Sequence, residues 1–393
     1  MNYKISHPTK VVECEIDLPA SKSISNRLLI IKALCEDSFE IENLSDSDDT
    51  KNLIYSLNTL RNTIDVAHGG TTFRFLTSYL AIQNGKEFIL TGSDRLKERP
   101  IKKLIEALKI MGAKIEYLEN DGFAPLKISG SILKGGCVEI DGGISSQFIS
   151  SILLISPVLQ NGIQLKINND LVSKPYIEMT LKLMSEFGIH WEWNENKIEI
   201  IPQKYVGKNI VIESDWSAVT FWFEIAALAK ECNIKLNGLL KESIQGDKKV
   251  MKLFEKLGVA SVFKNNQLIL TKNWKSSLPG EIDLLETPDI YQPLKCTLSA
   301  LNINPEIIGL KTLKYKETNR IIAVETELEK LNSSKNIETY KDHRMAMSFA
   351  PLCLKFGELK INNSEVVNKS YPKFWEDLKK GGFTIAPSAD SGN

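Results

Sequence analysis

Six apolar segments, each led by small polar residues, recur along this chain at intervals of about fifty to seventy residues, a spacing that signals a repeat architecture. They are SKSISNRLLIIKAL from Ser21, GGTTFRFLTSYLA from Gly69, SSQFISSILLIS from Ser145, SDWSAVTFWFEIAALA from Ser214, TPDIYQPLKCTLSALN from Thr287 and KDHRMAMSFAPLCLK from Lys341. In each, apolar residues wrap nearly all the way round a helix instead of forming one stripe, which puts the helix inside a domain. Ser, Thr, Asp or Gly at each start is a helix-cap residue. Six such units suggest two halves of three.

Between them lie alternating or β-branched stretches, 197–201, 209–212 and 267–270, expected as strands. Charged stretches at 100–111 and 248–257 are expected as surface helices. The mixture predicts an α/β or α+β fold. A chain of 393 residues, 42% hydrophobic and 25% charged, has room for two or three domains with cores of their own. The longest nearly apolar run, 148–159, is too short to span a bilayer, and the polar N-terminus lacks a signal-peptide core. A soluble, cytoplasmic protein without membrane partners is therefore expected, and residues 386–393 read as a frayed tail.

The cysteines at 14, 35, 137, 232, 296 and 353 contain no CxxC, and the histidines at 7, 68, 190 and 343 are dispersed. Neither zinc nor a redox pair is indicated, no metal is required, and the thiols are expected to be buried.

Charge is concentrated where the bulk numbers hide it. The 49 basic residues balance 49 acidic ones, which argues against a nucleic-acid partner. Yet Lys or Arg recurs in five separated pieces: Lys22 and Arg27, Lys97 and Arg99, Lys316 and Arg320, Arg344, and Lys369. A small, multiply anionic ligand fits such a pattern. Helix N-termini gathered at one place would add backbone donors and partial positive charge to the same site. For any single segment, a cap on a core helix is the simpler account; six together favour an anion site.

Arg99, Arg320 and Arg344 can grip carboxylate or phosphate through a planar fork, and Lys22, Lys316 and Lys369 offer point charges. Arg320 also follows Glu317 at i,i+3 spacing, which fits an ordinary surface ion pair. Asp289, after Pro288, and Glu317, between cations, are the carboxylates best placed for proton transfer, although the first could be only a cap and the second only a pairing partner. No P-loop, GxGxxG or GxSxG string is present. From the residues alone, the reading stops at a cation-rich, transferase-like site.

In this order, LPASKSISNR, GGTTFRF, KERPI, SSQF, LVSKPY, KYKETNR and DHRMAM closely resemble the 5-enolpyruvylshikimate-3-phosphate (EPSP) synthase family over nearly the whole chain. The resemblance implies two globular domains, each of three βαβαββ-type units with buried helices, the "inside-out barrel" of the enolpyruvyl transferases. One domain would comprise 1–19 plus 216–393 and the other 20–215, with a double hinge near 20 and 215, closing on substrates. It implies transfer of the enolpyruvyl group of phosphoenolpyruvate to the 5-hydroxyl of shikimate 3-phosphate, with release of phosphate and no cofactor. A monomer is expected.

By the same resemblance Lys22 contacts both substrates, and Ser23 and Arg27 hold shikimate 3-phosphate together with Ser145, Ser146, Gln147 and Ser173. Tyr176 lies near its ring, Lys316 binds its hydroxyl side, and Asp289 accepts the 5-hydroxyl proton. Gly70, Arg99, Arg320, Arg344 and Lys369 cradle phosphoenolpyruvate, with Lys22 and Gln147 shared. Glu317 donates the proton to the methylene carbon, assisted by Lys22 and His343. Gly70 leaves room where a larger side chain would crowd glyphosate, so sensitivity to that inhibitor is expected.

The chain departs from the family pattern in a short 49–68 stretch and at His68, Thr312, Asn319 and Lys341. Two other readings compete. A UDP-N-acetylglucosamine enolpyruvyl transferase would bring a reactive cysteine, which the KERPI region lacks. A non-catalytic metabolite sensor would not need Asp289, Glu317 and Lys22 together.

Overall fold

Each of the six apolar segments folds as a helix with a largely buried surface: Lys22–Leu34, Gly70–Ala81, Ser146–Ile155, Trp216–Leu228, Tyr291–Ala300 and His343–Phe349. The computed structural model describes residues 1–273 and 280–388. In the Trp216–Leu228 helix every residue except Ser217 is buried, as an all-round apolar pattern requires. Three starts carry the expected side-chain cap. Ser145 accepts from Gln147 N, Asp215 from Ser217 N and Asp342 from Arg344 N. Thr287 does not cap; a 3-10 turn, Pro288–Ile290, precedes the helix there.

The chain divides into two compact units: Met1–Ser21 with the chain from Glu213 onward, and Lys22–Ile212. Among the described residues each unit contains two four-stranded sheets and one two-stranded sheet. All four larger sheets share one pairing pattern: a parallel pair, then two antiparallel neighbours. In Lys22–Ile212, Thr63–Asp65 runs parallel to Glu87–Thr91, which pairs with Leu126–Ser129 and that with Lys114–Tyr117. Gly136–Asp141 and Ile163–Asn168 begin the second sheet in the same way. The buried helices Gly70–Ala81 and Ser146–Ile155 supply the crossover between the strands of these two parallel pairs, as parallel pairing demands. The result is a mixed α/β fold of βαβαββ units with helices inside.

In the other unit the parallel pair Val11–Asp17 and Glu231–Asn237 comes from opposite sides of the inserted unit. There, Asn2–Ser6 is held between Leu359–Ile361 and Thr384–Ser388. Ala386 and Pro387 are thus paired strand residues, not a frayed tail; 389–393 lie outside the described residues. The two passages of chain at the unit boundary run side by side. Asp215 N donates to Pro19 O and Ser21 N to Glu213 O, each at 2.9 Å. Gln245 ties both together, accepting from Ser21 Oγ and Trp216 N and donating to Ser214 O.

The expected strands appear as Lys197–Ile200, Ile210–Val211 and Gln267–Lys272, and the charged helices as Lys102–Ile110 and Val250–Glu255. The 49–68 stretch falls largely within the Asp48–Thr59 helix and the Thr63–Asp65 strand. The cysteines need correction: only Cys296 and Cys353 are buried, and Cys137 is exposed. For Cys137, position on the outward-facing side of the Gly136–Asp141 strand, not residue type, decided that. Among the described residues no helix is long and apolar enough to cross a membrane.

Candidate active site

The candidate residues fall into two arrays, one in each unit. In Lys22–Ile212 the helices bring Lys22, Ser23 and Arg27 onto one segment, with Gly70, Ser146 and Gln147 at the starts of two others. Lys22 Nζ lies 3.5 Å from Asp49 Oδ2. Arg27, 2% exposed, is surrounded by acceptors: its Nε donates to Thr180 Oγ1 (2.7 Å), Nη1 to Ser23 O (2.8 Å), and Nη2 to Ser150 Oγ (3.2 Å) and Tyr176 O (3.1 Å). Burial pushes its pKa down to about 10, which still leaves it charged at neutral pH. The rings of Phe75 and Tyr176 flank the same guanidinium. Ser173 opens the Lys174–Glu186 helix in a left-handed conformation (φ 55°), a strained choice for serine.

A second cluster in this unit joins Gly70, Gln147 and Arg99. A Cβ placed on Gly70 would sit 2.4 Å from Arg99 Nη1, so glycine is what admits that guanidinium. Arg74 Nη1 lies between the Gly70 carbonyl and Gln147 Oε1, 2.9 Å from each. Sequence reasoning gave no role to Arg74, Ser150, Thr180 or Asp49. Arg74 had a visible signal, being a basic residue one helical turn beyond Gly70 in an otherwise apolar segment; the others are ordinary polar residues whose partners are distant in the chain.

The other unit gathers the KYKETNR and DHRMAM residues around Arg320. Its guanidinium meets three carboxylates: Nε to Asp342 Oδ2 (2.8 Å), Nη1 to Asp289 Oδ1 (2.8 Å) and Nη2 to Glu317 Oε2 (2.9 Å). Asp289 in turn faces three cations, with Lys316 Nζ at 3.2 Å and Arg344 Nη2 at 3.6 Å, and its carbonyl accepts from Arg344 Nη1 at 3.0 Å. His343 Nδ1 stands 3.7 Å from Asp342 Oδ1. Lys369 reaches the adjoining turn, donating from Nζ to Lys341 O at 2.6 Å. Asp289 is therefore neither a side-chain cap nor a surface residue, and Glu317 does form the i,i+3 pair, but on a buried arginine.

Opposing forces set the charges here. Burial alone would raise the Asp289 carboxyl, but Lys316, Arg344 and Arg320 outweigh it and hold the group well below the usual carboxylate range. Burial likewise opposes the charge on Arg320, yet Asp342, Glu317 and Asp289 reverse the balance and raise its pKa. Asp247, hydrogen-bonded by Ser217 Oγ, goes the other way: burial, then the charge on Asp289, push it up to about 6. Burial and charge thus drive the Asp247 and Asp289 carboxyls in opposite directions.

The departures find local explanations. Asn319 caps the Arg320–Lys330 helix, accepting from Ile322 N, a task it performs as well as aspartate. His68 Nδ1 and Ser93 Oγ are 2.8 Å apart. Thr312 is buried just ahead of the Leu313–Tyr315 turn. Lys341 has φ 55°, where asparagine or glycine would be at ease.

A framework of βαβαββ units carrying two such arrays defines an α/β transferase, and comparison with known proteins agrees. Curated 3-phosphoshikimate 1-carboxyvinyltransferases of Bacteroides fragilis (strain YCH46) and Mannheimia haemolytica are 42% and 34% identical to this chain, over 98% and 95% of it and 99% and 98% of their own lengths. An EPSP synthase structure from Acinetobacter baumannii superposes with a TM-score of 0.78 over 98% of this chain and 100% of its own, at 20% identity, which speaks for the fold alone. The model of the EPSP synthase (3-phosphoshikimate 1-carboxyvinyltransferase) family matches residues 6–69, 62–335 and 332–378, and the chain belongs to that family.

Proposed function

We propose that this protein transfers the enolpyruvyl group of phosphoenolpyruvate to the 5-hydroxyl of shikimate 3-phosphate, acting in the cytoplasm as a monomer and without a cofactor. The observation that carries this reading is the Arg320 array, in which the carboxylates of Asp289 and Glu317 share one buried guanidinium. Shikimate 3-phosphate is assigned to Lys22, Ser23, Arg27, Ser145, Ser146, Gln147, Ser173, Tyr176 and Lys316. Phosphoenolpyruvate is assigned to Lys22, Gly70, Arg99, Gln147, Arg320, Arg344 and Lys369. The unit made of 1–21 and the chain from 213 onward then supplies the proton-transfer groups, and Lys22–Ile212 most contacts to shikimate 3-phosphate.

In the addition step the 5-hydroxyl oxygen bonds to C2 of phosphoenolpyruvate, Asp289 takes the hydroxyl proton, and Glu317 gives a proton to the C3 methylene, making a tetrahedral intermediate. Elimination returns a C3 proton to Glu317 and breaks the C2–O bond to phosphate, which leaves with the proton that Asp289 had taken. Held low by three cations, Asp289 is a weak base in the free protein. Phosphate and carboxylate groups bound to those cations would offset their charge and raise the basicity of Asp289 when the substrates are present. The cations meanwhile stabilise charge developing on the departing phosphate.

The UDP-N-acetylglucosamine reading is not favoured, because the full-length relatives are 3-phosphoshikimate 1-carboxyvinyltransferases. Phosphate release from purified protein given both substrates tests the proposal. Release that requires shikimate 3-phosphate and yields the enolpyruvyl ether supports it, and a folded protein that releases none refutes it.

A further inference from the structure

Arg74 has no part in the assignments above, yet its side chain is fixed in the middle of the Gly70 and Gln147 cluster. It is 5% exposed, its carbonyl accepts from Ser151 Oγ at 2.6 Å, and its guanidinium carbon lies 5.5 Å from the centre of the Phe148 ring. One nitrogen, Nη1, donates both to Gly70 O and to Gln147 Oε1, each at 2.9 Å.

A guanidinium has donors only, so the Gln147 atom that faces it must be the amide oxygen. The amide nitrogen then points away, and Nε2 donates to Thr71 Oγ1 at 3.1 Å. That bond uses one of the two hydrogens on Nε2. We propose that Arg74 is a positioning residue that sets the polarity of the Gln147 amide, so that Gln147 presents an N–H, not a carbonyl, to an anionic ligand.

The physical stake is the sign of one contact. An amide turned the other way would set its carbonyl oxygen against a phosphate or carboxylate oxygen, replacing a hydrogen bond with repulsion. Gly70 belongs to the same device. A Cβ there would come within 2.9 Å of Arg74 Nη1, the atom that holds the amide, as well as crowding Arg99. The absent side chain thus protects the orientation of Gln147.

The inference rests on the proposed function only for the ligand, phosphoenolpyruvate. The test compares Arg74→Met, Gln147→Ala and the double variant in the phosphate-release assay. A hydrogen bond from a charged group is worth enough that Arg74→Met should raise the KM for phosphoenolpyruvate roughly ten-fold, with kcat changed less. Because Arg74 acts through Gln147, the same change in the Gln147→Ala background should add less than about two-fold. A further loss of roughly ten-fold in that background overturns the proposal.

Gln147→Glu covers the case in which Arg74→Met does not fold. Glutamate keeps an oxygen for Arg74 but turns another oxygen toward the ligand, so the melting temperature should hold while KM rises on the order of a hundred-fold. An unchanged KM overturns the proposal. If the wild-type protein releases no phosphate, the functional reading fails by itself, and amide polarity is read without substrate. The side-chain NH2 resonances of Gln147 should shift in Arg74→Met and in Thr71→Val; resonances unchanged in Arg74→Met refute the inference.

Discussion

Arg320 Nε and Asp342 Oδ2 are 2.8 Å apart, and neither side chain is more than 2% exposed. Asp342 also caps the His343–Phe349 helix, so one carboxylate holds the buried Arg320 and a helix start together. Removing one partner of a buried ion pair strands the other charge. Asp342→Ala is expected to cost about 3–5 kcal/mol in urea unfolding, with Arg320 left short of an acceptor. A loss below about 1 kcal/mol would show that the pair is hydrated and unimportant.

Glu317→Gln keeps an oxygen for Arg320 but removes the transferable proton. Turnover should fall by two to three orders of magnitude, roughly the worth of a general acid, while binding of both substrates changes little. Substrate titration calorimetry beside steady-state rates separates the two. Equal loss in affinity and turnover would remove Glu317 from the proton-donor role.

Arg27→Ala should behave differently. It is expected to weaken shikimate 3-phosphate binding far more than turnover, and also to lower the melting temperature, since Thr180 Oγ1, Ser150 Oγ and Tyr176 O lose a buried charged donor. An unchanged KM for shikimate 3-phosphate in the folded variant removes Arg27 from that substrate.

Glu224, in the middle of the Trp216–Leu228 helix, is fully buried, and neither carboxyl oxygen has a hydrogen-bond partner among the described residues. Burial raises its pKa well above the ordinary 4.5. Below pH 4.5 folded and unfolded chains both carry the proton, and the group makes no pH-dependent contribution to stability. As pH rises further, only the folded state keeps it, so stability declines by about 1.4 kcal/mol per pH unit until the folded-state pKa is passed. Glu224→Gln should abolish that slope and raise the melting temperature more at pH 8 than at pH 5. The same gain at both pH values would show that Glu224 does not hold a proton in the fold.

Tyr340 and Lys341 are consecutive left-handed residues just before Asp342, with φ 50° and 55°. Left-handed backbone costs a non-glycine residue about 1–2 kcal/mol, partly offset here by the entropy glycine would bring to the unfolded chain. Lys341→Gly should therefore stabilise the protein by about 0.5–1 kcal/mol, with the carbonyl that accepts from Lys369 kept in place. Destabilisation in chemical denaturation would mean the lysine side chain contributes more than its backbone costs.

The buried helices were legible because their apolar pattern and caps are local properties. Ser145, Asp215 and Asp342 could be read as caps from three or four neighbouring residues. Arg320 and its local partner Glu317 were legible, but its other two carboxylates were not, because Asp289 and Asp342 are distant in the sequence and meet it only in the fold. Apart from Ser23 O, the partners of Arg27 lie more than 100 residues away, and polar residues such as Ser150 and Thr180 carry no mark of it. Residues 386–388, the end of the Thr384–Ser388 strand, looked frayed because their stabilising neighbour, Asn2–Ser6, comes from the opposite end of the sequence. Cys137 looked buried because residue type says nothing about which side of a strand faces water.

The pairing of Val11–Asp17 with Glu231–Asn237 has a consequence for biogenesis. The first strand leaves the ribosome about 200 residues before the strand it must lie beside, a delay of roughly 10–40 s at ordinary translation rates. Lys22–Ile212 is by then complete and has its own partners, so it can fold while the nascent N-terminal strand is still waiting. The inserted unit is thereby the natural first folder, and a truncation between residues 212 and 231 would leave one complete unit tethered to an orphan strand.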